Sequence, residues 1–189
     1  ELSILARLGS GSASRSLFSG FVEWHCGESD DGTDSFAEHL DEEWPELLIG
    51  VVTVTEAQKP VGSTEGMLRT LDSSMLYKMW PDKVDADLVT IKWAIEKKDF
   101  ELLGKTAESN ALAMHATMMA AWPPLLYWQP ETVAVFHKVC QLRADGIPVY
   151  FTIDAGPNVK LLFLIENTPE IIRQFSTLEI IEPFEQKIF

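Results

Sequence analysis

Cysteine is scarce in this chain. Its 189 residues include only Cys26 and Cys140, too few for a disulfide scaffold and in keeping with a reducing, cytoplasmic setting. Positive charge is scarce too: 15 Lys and Arg face 29 Asp and Glu, a formal net charge of −14. A surface of that sign repels nucleic acid and anionic membrane alike. No apolar run approaches the ~20 residues of a membrane helix. Internal repeats, low-complexity tracts, CxxC pairs and histidine pairs at metal-ligating spacing are all missing, so no metal site built only of side chains is expected.

What the chain does have is material for a core. Hydrophobic residues make up 46% and aromatics 10%, which excludes disorder by composition. The length suits one sizeable domain or two small ones. Glu1 to Leu8 reads as helix, with Leu2, Leu5 and Ala6 on one face. Because the pattern is already under way at Glu1, a crop of a longer protein is expected. The alternation ending at Trp24 predicts a strand. An acidic loop follows, from Glu28 to Glu43, with eight carboxylates and no Lys or Arg.

Leu47 to Thr55 is apolar on both faces and β-branched, the pattern of a buried strand. Ser63-Thr64 predicts a capped helix to about Leu71. Leu88, Ile91 and Ile95 sit at helical spacing. Lys97-Lys98-Asp99 breaks that helix and caps the next, whose stripe is Phe100, Leu103, Ala107, Ala111 and Met114. Pro130 is expected at the first turn of a helix buried along Val133, Phe136, His137, Cys140 and Ala144. Val149–Ile153 and Val159–Ile165 predict two buried strands. A short helix starts at Thr168-Pro169, and Leu178 to Phe189 returns as a strand that Pro183 confines to an edge. The class is α+β, helices on a mainly antiparallel sheet, with a boundary near Gly62.

Three places have the residues for chemistry. Gly9 to Ser16 combines glycines, hydroxyls and Arg15. A helix starting at Ser10 or Ser12 would hold an anion, and a flexible connector would have the same composition. Ser63-Thr64 is a second helix start, sufficient as a plain cap. Asp154 ends a strand and opens Asp-Ala-Gly-Pro-Asn. A partly desolvated carboxylate there serves as a general base or charge anchor, and a turn-capping role explains it equally well.

Several blocks occur in one order: Gly9-Ser10-Gly11-Ser12-Ala13-Ser14-Arg15-Ser16, Gly20-Phe21-Val22-Glu23-Trp24, Trp44-Pro45-Glu46-Leu47, Lys59-Pro60-Val61-Gly62-Ser63-Thr64-Glu65-Gly66-Met67, Met114-His115-Ala116-Thr117, Pro123-Pro124 and Phe151-Thr152-Ile153-Asp154-Ala155-Gly156-Pro157-Asn158. Together they resemble the C-terminal part of the mevalonate diphosphate decarboxylase family, within the GHMP kinase superfamily. The resemblance implies a two-domain GHMP-kinase-like α+β fold, its sheet covered by helices and the N-terminal part of its first domain missing. Residues 1–62 would finish the nucleotide-side domain and 63–189 would form the C-terminal domain, with the active site in the cleft between them.

The implied reaction uses ATP and Mg2+ to phosphorylate the tertiary hydroxyl of mevalonate 5-diphosphate. Loss of phosphate and CO2 then gives isopentenyl diphosphate. Asp154 would orient and deprotonate the hydroxyl, and Arg15 would hold the carboxylate region. Ser10, Gly11, Ser12 and Ser63 would line the substrate site. A homodimer is implied as well. The family's nucleotide-phosphate loop and its N-terminal Tyr and Lys have no counterpart here, so this piece is expected to be inactive alone and to leave the strands at Val22 and Leu48 without partners. Two rivals stay open: a related kinase without decarboxylation, and a non-catalytic dimerisation module. So does the choice between mevalonate diphosphate and monophosphate.

Overall fold

The computed structural model describes residues 1–184, and its backbone divides into two compact units. One comprises Glu1–Pro45 and the chain from Glu182, the other Glu46–Ile181.

The first unit holds two short helices, α1 (Leu2–Arg7) and α2 (Gly11–Arg15), and two short strands, β1 (Val22–Trp24) and β2 (Ala37–His39). The strands pair antiparallel, with Glu23 opposite Glu38 and Trp24 opposite Ala37. The apolar face expected for α1 is not its buried face: Leu2 and Leu5 are exposed, and Ser3 is buried, accepting a hydrogen bond from Ala37 N–H at 3.3 Å. Nor is the acidic stretch wholly loop, since it contains β2. Its aspartates build the turn that returns the chain. Asp34 accepts from the backbone N–H of Glu28 at 2.7 Å and of Ser29 at 3.0 Å. Asp31 accepts from the N–H and hydroxyl of Thr33. These bonds favour the ionised form and hold both carboxyls below the usual carboxylate range.

The second unit is a four-stranded antiparallel sheet with helices. Its elements are β3 (Leu47–Val52), α3 (Ser63–Ser73), α4 (Trp80–Lys97), α5 (Phe100–Met119), α6 (Pro130–Ala144), β4 (Val149–Ile153), β5 (Val159–Leu164), α7 (Thr168–Gln174) and β6 (Glu179–Ile181). The strand order is β4-β5-β3-β6. β6 therefore lies at an edge, as expected of the Pro183 segment, although the predicted strand also reached 185–189, outside the described residues. Leu48 pairs with Phe163 across β3 and β5, and Ile49 with Ile181 across β3 and β6. Of the two strands expected to lack partners, that at Val22 is paired with β2 and that at Leu48 has a partner on each side. That pairing puts Leu47–Val52 in the second unit, so the compact division falls between Pro45 and Glu46 and not near Gly62.

The register fixes the core. Val149, Phe151, Ile153, Val159, Leu161, Phe163, Leu48 and Val52 cluster with Phe136, Val139 and Leu142 of α6 and Ile171 of α7. Each such side chain contributes about 1.5–3 kcal/mol by leaving water. Tyr150 points to the opposite face and lies against Gly104, where a Cβ would sit 2.0 Å from its ring. Only glycine allows α5 this approach to the sheet. Lys98, at φ 52°, and Asp99, whose side chain accepts from Leu102 N–H, make the expected break between α4 and α5. The buried face of α6 differs from expectation. Thr132, Phe136, Val139 and Leu142 are inside, while His137 and Cys140 are exposed. Two helical stripes pass through Phe136, and packing on the sheet selected the one containing Val139.

Candidate active site

Asp154 follows the last residue of β4, and the turn it opens is tied down at several points from beneath. His115 is 1% exposed, and its Nε2 lies 3.0 Å from the Asp154 backbone carbonyl. Burial pushes the imidazole below its ordinary value of 6.5, against the opposing pull of that carbonyl. The ring is therefore neutral near pH 7 and donates from Nε2. Trp128 packs 5.1 Å from it, centroid to centroid. Thr132, fully buried, donates its hydroxyl to Pro157 O at 2.8 Å. Asn158 accepts from the N–H groups of Val54 and Thr55 at 2.8 and 3.1 Å.

The Asp154 side chain points the other way. It is 87% exposed and ion-paired with Lys160. The partial desolvation expected for it is not found, because the turn projects beyond the sheet. A cleft of about 370 Å³ opens beside it, lined by Thr55, Lys59, Asp154, Asn158 and Lys160 among others. Lys59 Nζ donates to Ala155 O at 2.7 Å and to Ser63 Oγ at 2.6 Å, and stands 5.6 Å from the centre of the Tyr127 ring. Ser63 begins α3 but does not cap it: the cap position is Gly62, which makes no side-chain bond. The structure thus brings Ser63 and Asp154 to one region through Lys59, with one carboxylate and two ammonium groups around a shared cleft.

Lys59, Lys160 and His115 were not singled out from the sequence as site residues. Lys160 alternates with buried neighbours on β5, and its register with Thr152 is what carries it to the mouth of β4. For His115 the signals were a polar residue at the end of an apolar helix stripe and its place in the Met114-His115-Ala116-Thr117 block.

The first unit contains the other expected site residues. Ser10 is the cap of α2, accepting from Ala13 N–H at 3.1 Å, with its Oγ 3.0 Å from that of Ser12. Arg15 reaches back to Gly11 O at 3.4 Å, and its guanidinium carbon lies 5.6 Å from the Trp24 ring centre. Gly11 serves packing: a Cβ there would stand 2.9 Å from the Trp24 indole. Ser10, Ser12 and Arg15 are exposed or half-buried at the surface of this unit.

Fold and site together define an α+β protein whose second unit presents a carboxylate beside two lysines on a rigid turn. The sequence matches the family described as the mevalonate 5-diphosphate decarboxylase C-terminal domain over residues 48–187, and the diphosphomevalonate decarboxylase-like N-terminal domain over 1–37. The chain belongs to the mevalonate 5-diphosphate decarboxylase family.

Among relatives, it is 37% identical to the diphosphomevalonate decarboxylase of Danio rerio, a match covering 96% of this chain and 48% of that protein. The mevalonate diphosphate decarboxylase of Enterococcus faecalis superposes with a TM-score of 0.87 at 42% identity, over 95% of this chain and 56% of that one. A structure of MDDEF in complex with MVAPP, AMPPCP and magnesium gives 0.87 at 41%, over 96% and 60%. These structures share the GHMP-kinase-like fold. The chain spans about half the length of the curated relatives it matches.

Proposed function

We propose that this chain serves the ATP-dependent decarboxylation of mevalonate 5-diphosphate to isopentenyl diphosphate, releasing ADP, phosphate and CO2. The observation that carries the reading is the Asp154 turn. A carboxylate fully open to an incoming molecule is fixed through its own backbone by buried donors, with Lys59 and Lys160 beside it. In this reading Asp154 orients the tertiary hydroxyl and accepts its proton. Lys59, already bonded to Ser63, supplies local positive potential for phosphate oxygens, which a chain of net charge −14 needs locally rather than overall. Ser63 contributes a hydroxyl to the same wall.

Ser10, Ser12 and Arg15 bind the substrate's anionic groups. Arg15 does so with a guanidinium that has more donors than its one bond to Gly11 O uses, in a fork suited to a carboxylate. Gly11 acts indirectly, by admitting Trp24.

Nucleotide and metal enter as the substrate complex Mg-ATP, which family members bind as the ATP analogue with magnesium. Mg2+ in phosphoryl transfer takes most of its ligands from phosphates and water, so it would enter on the nucleotide, with Asp154 kept for the hydroxyl. Such an ion would neutralise charge on the transferring phosphoryl group. A homodimer and a cytoplasmic setting belong to the same reading. Exposed Met67, Leu68, Leu71, Met75 and Met79 on and after α3 support self-association, and two free, exposed cysteines suit a reducing compartment.

The test is release of labelled CO2 from carboxyl-labelled mevalonate diphosphate with Mg-ATP by the full-length protein. One CO2 and one phosphate per ADP are expected. ADP without CO2 would make the protein a kinase, and no turnover by the folded full-length protein would favour a binding module. Mevalonate monophosphate, run in parallel, decides between the two substrates.

A further inference from the structure

The bonds beneath Asp154 hold its main chain and leave its carboxylate unplaced. His115 reaches the backbone carbonyl at 3.0 Å, and the N–H of Gly156 closes on the same carbonyl at 2.7 Å. The side chain, 87% exposed, stands too far out for packing to choose its rotamer. Proton transfer nevertheless requires a fixed approach of the accepting oxygen.

Lys160 meets that need. Among the described residues, its ammonium is the one side chain that bonds the Asp154 carboxylate, and it does so at Oδ2. The sheet register explains the meeting. Lys160 lies opposite Thr152 of β4 and opposite Val51 of β3, so its backbone is gripped from both sides. Side chains alternate along β4, so Asp154, two residues beyond Thr152, continues on the same face. That puts it diagonally across from Lys160, within reach of a long side chain. The lysine itself is only 28% exposed: its stem is guided by neighbours while its tip lines the cleft. Lys59 is placed differently. It donates to Ala155 O and Ser63 Oγ, and no carboxylate among the described residues pairs with it.

We propose that Lys160 is a positioning residue, whose ammonium holds Asp154 Oδ2 so that Oδ1 faces the cleft to receive the substrate hydroxyl. This role rests on the reading of Asp154 as the proton acceptor. The two ammonium groups thereby divide the work: Lys160 aims the base, and Lys59 meets phosphate. An ion pair this exposed adds little to stability, so its effect lies in orientation.

The test uses the full-length protein with Mg-ATP and carboxyl-labelled mevalonate diphosphate. Lys160→Met should lower kcat about tenfold or more, with KM within about twofold and the urea midpoint unchanged. Lys160→Arg, which keeps a permanent charge, should recover most of that loss. Lys105→Met, the same change of charge at an exposed position of α5, should match the parent. In crystals, Asp154 should adopt one rotamer in the parent and several in Lys160→Met. With an active parent, kcat unchanged or raised by Lys160→Met, a loss confined to KM, a loss that Lys160→Arg does not relieve, or a single Asp154 rotamer in both structures would each overturn the proposal and leave the role of Asp154 standing. A parent that releases no CO2 would remove that role, and this one with it.

Discussion

The turn bearing Asp154 and the short helix bearing Arg15 are held in contrasting ways. Beneath Asp154, the carbonyl groups of residues 154 and 157 are bonded by His115 and Thr132, both essentially buried. Around Arg15 the contacts are local and exposed: a serine cap, a serine pair and one indole. The lesson is that a residue which must meet a reacting atom is fixed by the core, whereas one that grips a charge needs only a nearby support. The proposed roles differ in the same way, since orientation is critical for proton transfer while Coulomb attraction tolerates movement.

That contrast breaks if the supports under Asp154 prove dispensable. His115→Ala should have the largest effect on stability. It empties a buried site and leaves the Asp154 carbonyl without its donor, at a cost of about 2–4 kcal/mol in urea unfolding, with a fall in kcat greater than any change in KM. Thr132→Val keeps the shape but orphans the Pro157 carbonyl. A loss of about 1–2 kcal/mol is expected, again with kcat reduced.

The pH dependence sharpens the same point. His115 is neutral in the folded chain and its pKa is depressed below 6.5, so the unfolded state takes up the proton first as pH falls. Its contribution is complete above about pH 6.5 and is lost as pH drops through the lower folded value. Unfolding of the parent chain should therefore steepen in that window, and His115→Gln should flatten it. On the other side of the comparison, Trp24→Ala should remove a stacking contact worth about 0.5–1 kcal/mol, raising KM roughly two- to fivefold with kcat kept. Equal effects on kcat from Trp24 and His115 variants would remove the distinction.

Much of the second unit was legible in the sequence because local signals and tertiary packing agree there. Largely apolar runs became β3, β4 and β5, and Asp99 and Pro130 opened the helices they were expected to open. The first unit was less legible. Its elements are three to six residues long, so periodicity has little to work on, and β2 forms from Ala-Glu-His only because β1 lies beside it. At the site, Asp154 and Ser63 stand out by local pattern. Lys59 and Lys160 do not, since their positions follow from sheet register and from a bond across 96 residues of sequence. The exposure of Asp154 was missed for a related reason: the strand predicts burial, and the turn carries the side chain beyond it.

The central claim is that Asp154 performs the proton-handling step while the groups around it bind. Asp154→Asn keeps the shape and removes the base. Turnover of mevalonate diphosphate by the full-length protein carrying this substitution, measured as labelled CO2 in parallel with substrate affinity, should fall by about 10²–10⁴-fold with affinity within a few-fold of the parent. Turnover near the parent's value would contradict the account.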